Sequence, residues 1–446
     1  MLKQIKPDHK TEIMPEICKK IKDADSSKLF ESTLEYGAPA RGMWNIVHTG
    51  MLIPQAHQIF VCAAGCLRGV VLTAAEMNAS ERFSTIEIKE NNVLDGSMET
   101  LIIDGVSKIL SELPYKPSAI LIYTSCIHHF MGCDMDYVFS QLKEKFPDID
   151  FTDCYMNPIM RKSGLTPDQI MRKQLYSLLK PTTTNEKTVN IIGNDFSTDE
   201  SSELIKILKS NGFDVKEITR CKTYGEYQSM ASSALNITYY PAAKCAGDEL
   251  AEKFEKKHLY VPCSFNFETI KNHIETLIAT LGITDIPDME NMQKTAQNAI
   301  EKMKSVIGDV PVAIDYTAVS RPFELALLLA QNGINVVRVY ADSVSAEDKG
   351  AFEKLKHLKP DTEIYPTVHP TMRVLPRKTN EKIVCIGQKA AYFTNSRNFV
   401  NIVEGGGHWG FDGIIKLCSE IEDAFLNEKE TQRLIQIKGL GCESCL

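Results

Sequence analysis

The chain has 446 residues, more than a single hydrophobic core usually supports, so we expect roughly two to four domains. Its 58 acidic side chains outnumber its 50 lysines and arginines, which gives a formal net charge of −8. A mildly acidic surface argues against nucleic acid or an anionic membrane as the principal partner.

The 13 cysteines are numerous for an intracellular enzyme, but their spacing is not that of a small disulfide framework. The N-terminus lacks the positively charged stretch and apolar core of a secretory signal. No apolar run approaches the length of about 18 residues that crosses a bilayer. We therefore predict a cytoplasmic protein with no membrane partner, whose thiols are free or bound to metal.

Strand-like apolar stretches alternate with amphipathic helices, which predicts an α/β fold with parallel sheets. The first predicted domain, 1–182, ends at the polar stretch 181–184. It contains apolar strands that end next to Cys62 and just before Cys126. Its predicted helices are 97–112 and 135–145.

The second predicted domain, 183–300, opens with a strand at 188–194, a helix at 201–211 and a strand at 213–215. Strand, helix, Gly212 and strand form a Rossmann-type βαβ unit. The third predicted domain, 301–446, repeats this order after a connecting helix at 295–306. Its elements are strands 311–315, 333–339 and 382–387 and helices 321–331 and 414–425.

Two short cysteine segments are the most informative feature of the sequence. Cys62 and Cys66 lie four residues apart, and Cys126 precedes Cys133 by seven. Cysteines just past the carboxyl ends of strands lie at a crevice where open α/β sheets bind ligands. Thiolates from two such loops predict one soft-metal or iron–sulfur site. The alternative is that these cysteines are buried and pack as small hydrophobic side chains.

Two histidine segments also carry candidate chemistry. His128 is a candidate ligand or proton donor, and the alternative is a structural histidine. The glycine-rich segment 404–413 contains His408 and Trp409, which have ligand and stacking capacity. The alternative for this segment is a long turn that caps the following helix.

The remaining motifs limit the chemistry. Asp134 is expected to cap a helix rather than bind metal. Cys442 and Cys445 form a CxxC pair at the end of the chain, with redox or metal binding as the candidate role. The sequence has no Walker A motif and no Gly-x-Gly-x-x-Gly after a strand, so any ATP chemistry must come from another polypeptide.

Together these segments resemble the nitrogenase component-1 superfamily, which includes nitrogenase MoFe-type subunits, cofactor-assembly scaffolds and the dark-operative protochlorophyllide and chlorin reductases. Ala64-Gly65-Cys66 resembles the family's Gly-Cys segment. The run from Thr124 to Asp134 resembles its Thr-Cys-x5-Gly-Asp-Asp segment, with Cys133 in place of the first aspartate. The run from His408 to Gly413 resembles the His-Gly-Tyr-Asp-Gly segment that carries the histidine ligand of nitrogenase's catalytic cofactor.

The resemblance implies three Rossmann-like domains around a central cleft and a bridging iron–sulfur cluster of the four-iron or eight-iron type. Its implied ligands are Cys62, Cys66, Cys126 and Cys133. It implies an oligomer with a homologous second subunit or a second copy of the chain. Low-potential electrons would come from a separate ATP-dependent iron–sulfur reductase. A small-molecule substrate, and any second metallocofactor, would bind near His408 and Trp409, with His128 as a further catalytic candidate.

The sequence departs from the family pattern at three places. The family's first cluster cysteine falls within 36–42, which has none, so Cys62 or Cys133 is the candidate replacement. The family's cofactor-binding cysteine would fall near 236–241, which contains no cysteine, and Cys245 lies just beyond. The His408 segment contains one residue more than the family's segment, so Trp409 is the alternative to His408 at the position of the histidine ligand. We therefore predict a nitrogenase-like reductase subunit, with a non-catalytic cofactor-assembly scaffold and a plain α/β binding protein as alternatives.

Overall fold

The computed structural model describes residues 17–39, 46–156, 164–375, 377 and 382–434. These residues group into two compact units. The first unit comprises the described residues of Met43–Ser197 and Gly212–Val261. The second unit comprises the described residues of Met1–Gly42, Thr198–Asn211 and Pro262–Leu446.

The strands, in chain order, are β1 Lys19–Lys20, β2 Ala56–Cys62, β3 Phe83–Glu87, β4 Ala119–Thr124, β5 Asp150–Tyr155, β6 Asn185–Ile191, β7 Asp214–Glu217, β8 Ser233–Thr238, β9 Lys257–Tyr260, β10 Val312–Asp315, β11 Val336–Tyr340, β12 Glu363–Tyr365, β13 Val384–Ile386 and β14 Phe399–Val400.

The helices are α1 Ile46–Gly50, α2 Ala64–Glu76, α3 Glu90–Leu94, α4 Met98–Glu112, α5 Cys126–Met131, α6 Met135–Lys145, α7 Pro167–Gln174, α8 Glu203–Ser210, α9 Tyr224–Ser229, α10 Lys244–Phe254, α11 Phe267–Leu281, α12 Met289–Ile307, α13 Pro322–Gln331, α14 Lys349–Leu358, α15 Gln388–Thr394, α16 Gly410–Leu426 and α17 Thr431–Leu434. No helix in the described part of the chain is long and apolar enough to cross a membrane.

The first unit contains two parallel sheets of four strands each. Their orders are β3-β2-β4-β5 and β7-β6-β8-β9. Every residue of β2 and β4 is buried, as expected for central parallel strands that are covered on both faces. Val61 and Ile122 on one face pack into a core with α4 and α6, whereas Phe60 and Tyr123 stack on the other face with ring centroids 4.0 Å apart.

The second unit contains one sheet of six strands, in the order β1-β12-β11-β10-β13-β14. Five of these strands are parallel, and the edge strand β1 pairs antiparallel to β12. The predicted α/β class with parallel sheets is therefore confirmed. The parallel pairing of the predicted strands is also confirmed, between β6 and β7 and between β10 and β11. The three domain boundaries and the central cleft stay predictions.

Two helices begin earlier than the sequence pattern predicts, because acidic side chains cap them. Helix α12 begins at Met289 rather than at 295, since the Asp288 carboxylate accepts the backbone N–H of Asn291 at 3.0 Å. Helix α16 begins at Gly410 rather than at 414, since Glu203 accepts the backbone N–H of Asp412 at 3.0 Å. Helix α6 has the predicted bounds.

Candidate metal centre

Three of the predicted ligands lie at the carboxyl edge of one sheet in the first unit. Strand β2 ends at Cys62, and Cys66 follows in the first turn of α2. The neighbouring strand β4 ends at Thr124, and Cys126 is the first residue of α5. Because β2 and β4 pair in parallel, both cysteine segments leave the sheet at the same edge.

The three thiols share one electrostatic neighbourhood. Burial, together with the nearby thiols of Cys66 and Cys126, raises the pKa of Cys62 to about 12. The side chain of Cys62 is buried, that of Cys126 is partly exposed, and that of Cys66 is exposed. A bound metal centre would favour the thiolate form of Cys62 over the thiol.

Cys133 has different neighbours from the other three cysteines. Burial raises the pKa of its thiol to about 12, and the Glu99 carboxylate adds to the shift. The Sγ atom of Cys133 lies 3.8 Å from the Sδ atom of Met135. Glu99 also accepts the backbone N–H of Asp134 at 2.9 Å, which fixes the loop. The neighbours of Cys133 thus include residues of this loop and of α4.

Asp134 has the capping role that the sequence indicates. Its Oδ1 atom accepts the backbone N–H of Tyr137 at 2.9 Å, at the start of α6. The prediction of a helix cap is confirmed.

The described thiols do not surround a single metal ion. In the part of the chain that the structure describes, no three His, Cys, Asp or Glu side chains are placed to hold one metal ion. In a four-iron cluster, thiolates bind different iron atoms, so the ligands stand farther apart than they do around one ion. Cys62, Cys66 and Cys126 come from two loops at one sheet edge.

His128 lies beside the cysteine loops as a neutral hydrogen-bond donor. Its Nδ1 atom accepts the backbone N–H of Ser125 at 3.0 Å, so the ring proton is on Nε2. The side chain is buried, and burial lowers its pKa, which favours the neutral ring. Its Nε2 atom has no hydrogen-bond partner among the described residues. An Nε2 that carries the proton is a donor and has no lone pair for a metal.

His408, in the second unit, lies between two carboxylates. Its Nε2 atom is 3.4 Å from Oε1 of Glu420 and 3.6 Å from Oδ2 of Asp199. The ammonium group of Lys416 lies 2.7 Å from Oδ1 of Asp199. The Nε2 edge of the imidazole therefore faces acidic groups of its own unit.

The residues after His408 form the start of helix α16. Trp409 is buried, and Gly410 has a φ of +74°, a conformation that favours glycine. A Cβ atom on Gly410 would stand 2.2 Å from Oε2 of Glu203. Burial raises the pKa of Glu203 to about 7, while its hydrogen bond from Asp412 opposes that shift. This part of the segment caps a helix.

Cys245 lies in the first turn of α10, just beyond the place of the family's cofactor cysteine. Its thiol donates to the carbonyl oxygens of Ala242 at 3.4 Å and Gln169 at 3.5 Å. Burial raises its pKa, so the thiol form is favoured. Cys442 and Cys445 lie outside the described residues.

Sequence reasoning missed the acidic partners of these sites. Glu99, Asp199 and Glu420 carry no motif of their own, because each meets its partner across 12 or more positions of the chain. Asp199 lies just before α8, and Glu203 is its first residue. Both are therefore acidic residues at a helix N-terminus, where negative charge is favourable. Nothing in their local sequence indicates that they face His408 and Gly410.

Comparison with known proteins identifies the family. The model for nitrogenase component 1 type oxidoreductases matches residues 47–426. A curated relative is the nitrogenase iron-molybdenum cofactor biosynthesis protein NifE of Clostridium pasteurianum, 27% identical over 248 residues, or 54% of this chain. The match spans 51% of that relative, about half its length.

Two solved structures have a similar fold. Nitrogenase Cp1 at pH 6.5 has a TM-score of 0.62 at 14% identity and covers 91% of this chain and 95% of its own. Nitrogenase Cp1 at pH 5 has a TM-score of 0.58 at 12% identity, with 90% of each chain covered. The matched family model extends over most of the sequence. The chain therefore belongs to the nitrogenase component 1 type oxidoreductase family.

Proposed function

We propose that the protein is a scaffold on which a nitrogenase-type metallocofactor is assembled, and that Cys62, Cys66 and Cys126 hold its iron–sulfur cluster. The observation that carries the proposal is the position of these three thiols at one sheet edge. The similarity to a cofactor biosynthesis protein over half of its length supports the scaffold role.

The protein's residues would prepare this site in three ways. The thiols of Cys62, Cys66 and Cys126 would release their protons when iron binds. Helix α2 begins at Ala64 without a side-chain cap, so its first backbone N–H groups are available to an anionic group. Burial of Cys62 excludes water from the inner side. A bound cluster would supply iron, sulfide and electron storage.

A partner chain would complete the outer side of the site. Cys66 is exposed, and so are the large apolar side chains of Phe130 and Met131 on the neighbouring helix α5. Exposed apolar surface beside a metal site is typical of a protein interface. A homologous subunit or a second copy of this chain would cover it.

The surroundings of His408 favour the scaffold over a catalytic subunit. A permanent catalytic cofactor would need the imidazole as a ligand, and its Nε2 edge instead faces Asp199 and Glu420. Trp409, the alternative to His408 at the ligand position, is buried at the start of α16. A scaffold that releases its cargo needs no such permanent ligand.

The second candidate is a nitrogenase-like reductase subunit that receives electrons from an ATP-dependent iron–sulfur reductase and reduces a small molecule. The match to an oxidoreductase family over residues 47–426 favours it. His408, Trp409 and His128 would then be its candidate catalytic residues.

A transfer experiment distinguishes the two candidates. The anaerobically purified chain, loaded with iron and sulfide, is incubated with a cofactor-free nitrogenase component 1, or with a reductase component, ATP and a small substrate. The scaffold proposal predicts loss of iron from this chain and its recovery in the acceptor, without ATP-dependent substrate reduction. Substrate turnover with the iron retained would contradict it and support the reductase.

A further inference from the structure

A cavity of about 540 Å³ lies in the first unit, at the carboxyl ends of β4 and β5. Its volume is within the range of small-molecule sites. Residues from the end of β4, from α5 and from the start of α6 form most of its wall. The carboxyl edge of a parallel sheet is where α/β proteins bind ligands.

The inner wall of this cavity carries three hydrogen-bond donors that make at most long contacts with other described residues. Thr124, Ser125 and His128 are each no more than 4% exposed. The hydroxyl of Thr124 lies 3.5 Å from the Cys154 carbonyl, and that of Ser125 lies 3.5 Å from Nδ1 of His128. Both distances exceed the usual hydroxyl hydrogen bond of about 2.8 Å. Within the part of the chain that the structure describes, the Nε2–H group of His128 has no partner.

Buried donors without partners are costly, so a bound acceptor would stabilise this wall. The acceptor should be uncharged, because the carboxylates of Asp134 and Asp136 also line this cavity and no described lysine or arginine does. A carbonyl or amide oxygen meets both requirements.

The outer rim has the opposite chemistry. Asp134 and Asp136 are exposed and line the cavity, and only one oxygen of Asp134 is engaged in capping α6. None of the described residues that line the cavity is a lysine or arginine. Met135 and Ile170 add apolar surface between the two ends. The acidic rim therefore attracts a cation. The apolar wall between the rim and the three donors accommodates a short hydrocarbon chain.

We propose that this cavity binds a small amine that carries a carbonyl or amide oxygen at its other end. The oxygen accepts hydrogen bonds from His128, Thr124 and Ser125, and the ammonium group faces Asp134 and Asp136. Cys62, Cys66 and Cys126 are not among the described residues that line this cavity, and its occupancy does not depend on the proposed scaffold role.

Isothermal titration calorimetry on the full chain tests the proposal with four matched probes. The probes are 4-aminobutanamide, which has both ends, butylamine and butanamide, which have one end each, and 4-aminobutyrate, whose acceptor is charged. We expect 4-aminobutanamide to bind about tenfold more tightly than either one-ended probe, since each end adds at least one polar contact. The carboxylate probe should bind more weakly than the amide.

Two substitutions that spare the fold complete the test. Thr124→Val removes a donor that makes only a 3.5 Å contact, and Asp136→Asn removes an exposed charge. Each should weaken 4-aminobutanamide severalfold, while Asp148→Asn, which alters an exposed surface ion pair with Lys116, should leave it unchanged. Absence of binding, equal binding of butylamine, or affinities unaffected by both substitutions would overturn the proposal.

Discussion

At the scale of single residues, the surroundings of a side chain decide its chemistry more than its motif does. Cys126 and Cys133 belong to one segment, yet the first lies with Cys62 and Cys66 and the second beside Glu99. His408 stands in a segment that resembles a cofactor-binding one, yet it faces Asp199 and Glu420. In each case a partner distant in sequence sets the role.

His57 makes the stability of the protein depend on pH. It is buried in β2 between Tyr115 and Ser84, at 2.7 Å and 2.8 Å, and burial lowers its pKa to about 4. Between its ordinary pKa of 6.5 and about 4, the unfolded chain binds a proton that the folded chain does not. The contribution of His57 to stability is therefore present above pH 6.5 and falls as the pH drops through this window.

The variant His57→Gln tests this assignment, since glutamine can donate and accept hydrogen bonds but does not titrate. Urea unfolding midpoints of both proteins are compared at about pH 7.5 and about pH 5. We expect the wild type to lose more stability than the variant over this interval. Equal losses would show that His57 does not titrate in this way.

At the scale of secondary-structure elements, capping side chains, either local or distant in sequence, determine where helices begin. Helix α6 carries its own cap in Asp134, and its bounds follow from the sequence. Helix α16 depends on Glu203, which lies more than 200 positions away along the chain. Local sequence therefore predicts the first start and cannot predict the second.

Loss of the α6 cap should destabilise the protein modestly. Asp134→Ala removes the acceptor of the Tyr137 N–H and should lower the free energy of unfolding by about 1 kcal/mol. Asp134→Asn retains an oxygen acceptor and should cost much less. Urea unfolding measures both, and equal effects of the two substitutions would contradict the capping role.

The start of α16 should be far more sensitive to a methyl group than an open helix position is. Gly410→Ala combines a φ of +74° with a Cβ position 2.2 Å from Glu203, and should cost about 1–3 kcal/mol or more. Gly350, in the first turn of α14, has nothing within 4 Å of its Cβ position. Gly350→Ala is therefore the matched control and should be neutral or stabilising. A tolerated Gly410→Ala would contradict the described packing.

At the scale of the whole molecule, the sequence predicts the parallel sheets and the placement of Cys62 and Cys126, because central strands are continuous apolar runs. It does not predict β1, since Lys19 and Lys20 have no apolar pattern and pair with a strand more than 340 positions away. Strand β5 also lacks the signal, because polar residues such as Asp150 and Asp153 interrupt it. The grouping of Cys62 with Cys126 depends on the parallel pairing of β2 with β4, which no local signal in either strand specifies.

The iron content of single-cysteine variants tests the central claim most directly. Cys62→Ala, Cys66→Ala, Cys126→Ala and Cys133→Ala are prepared anaerobically beside the wild type, with iron, sulfide and electron paramagnetic resonance spectra recorded for each. The account predicts a sharp loss of iron in the first three, because each removes a thiolate of the shared centre, and wild-type iron in Cys133→Ala. Full iron in Cys66→Ala and Cys126→Ala, or loss of iron in Cys133→Ala alone, would contradict it.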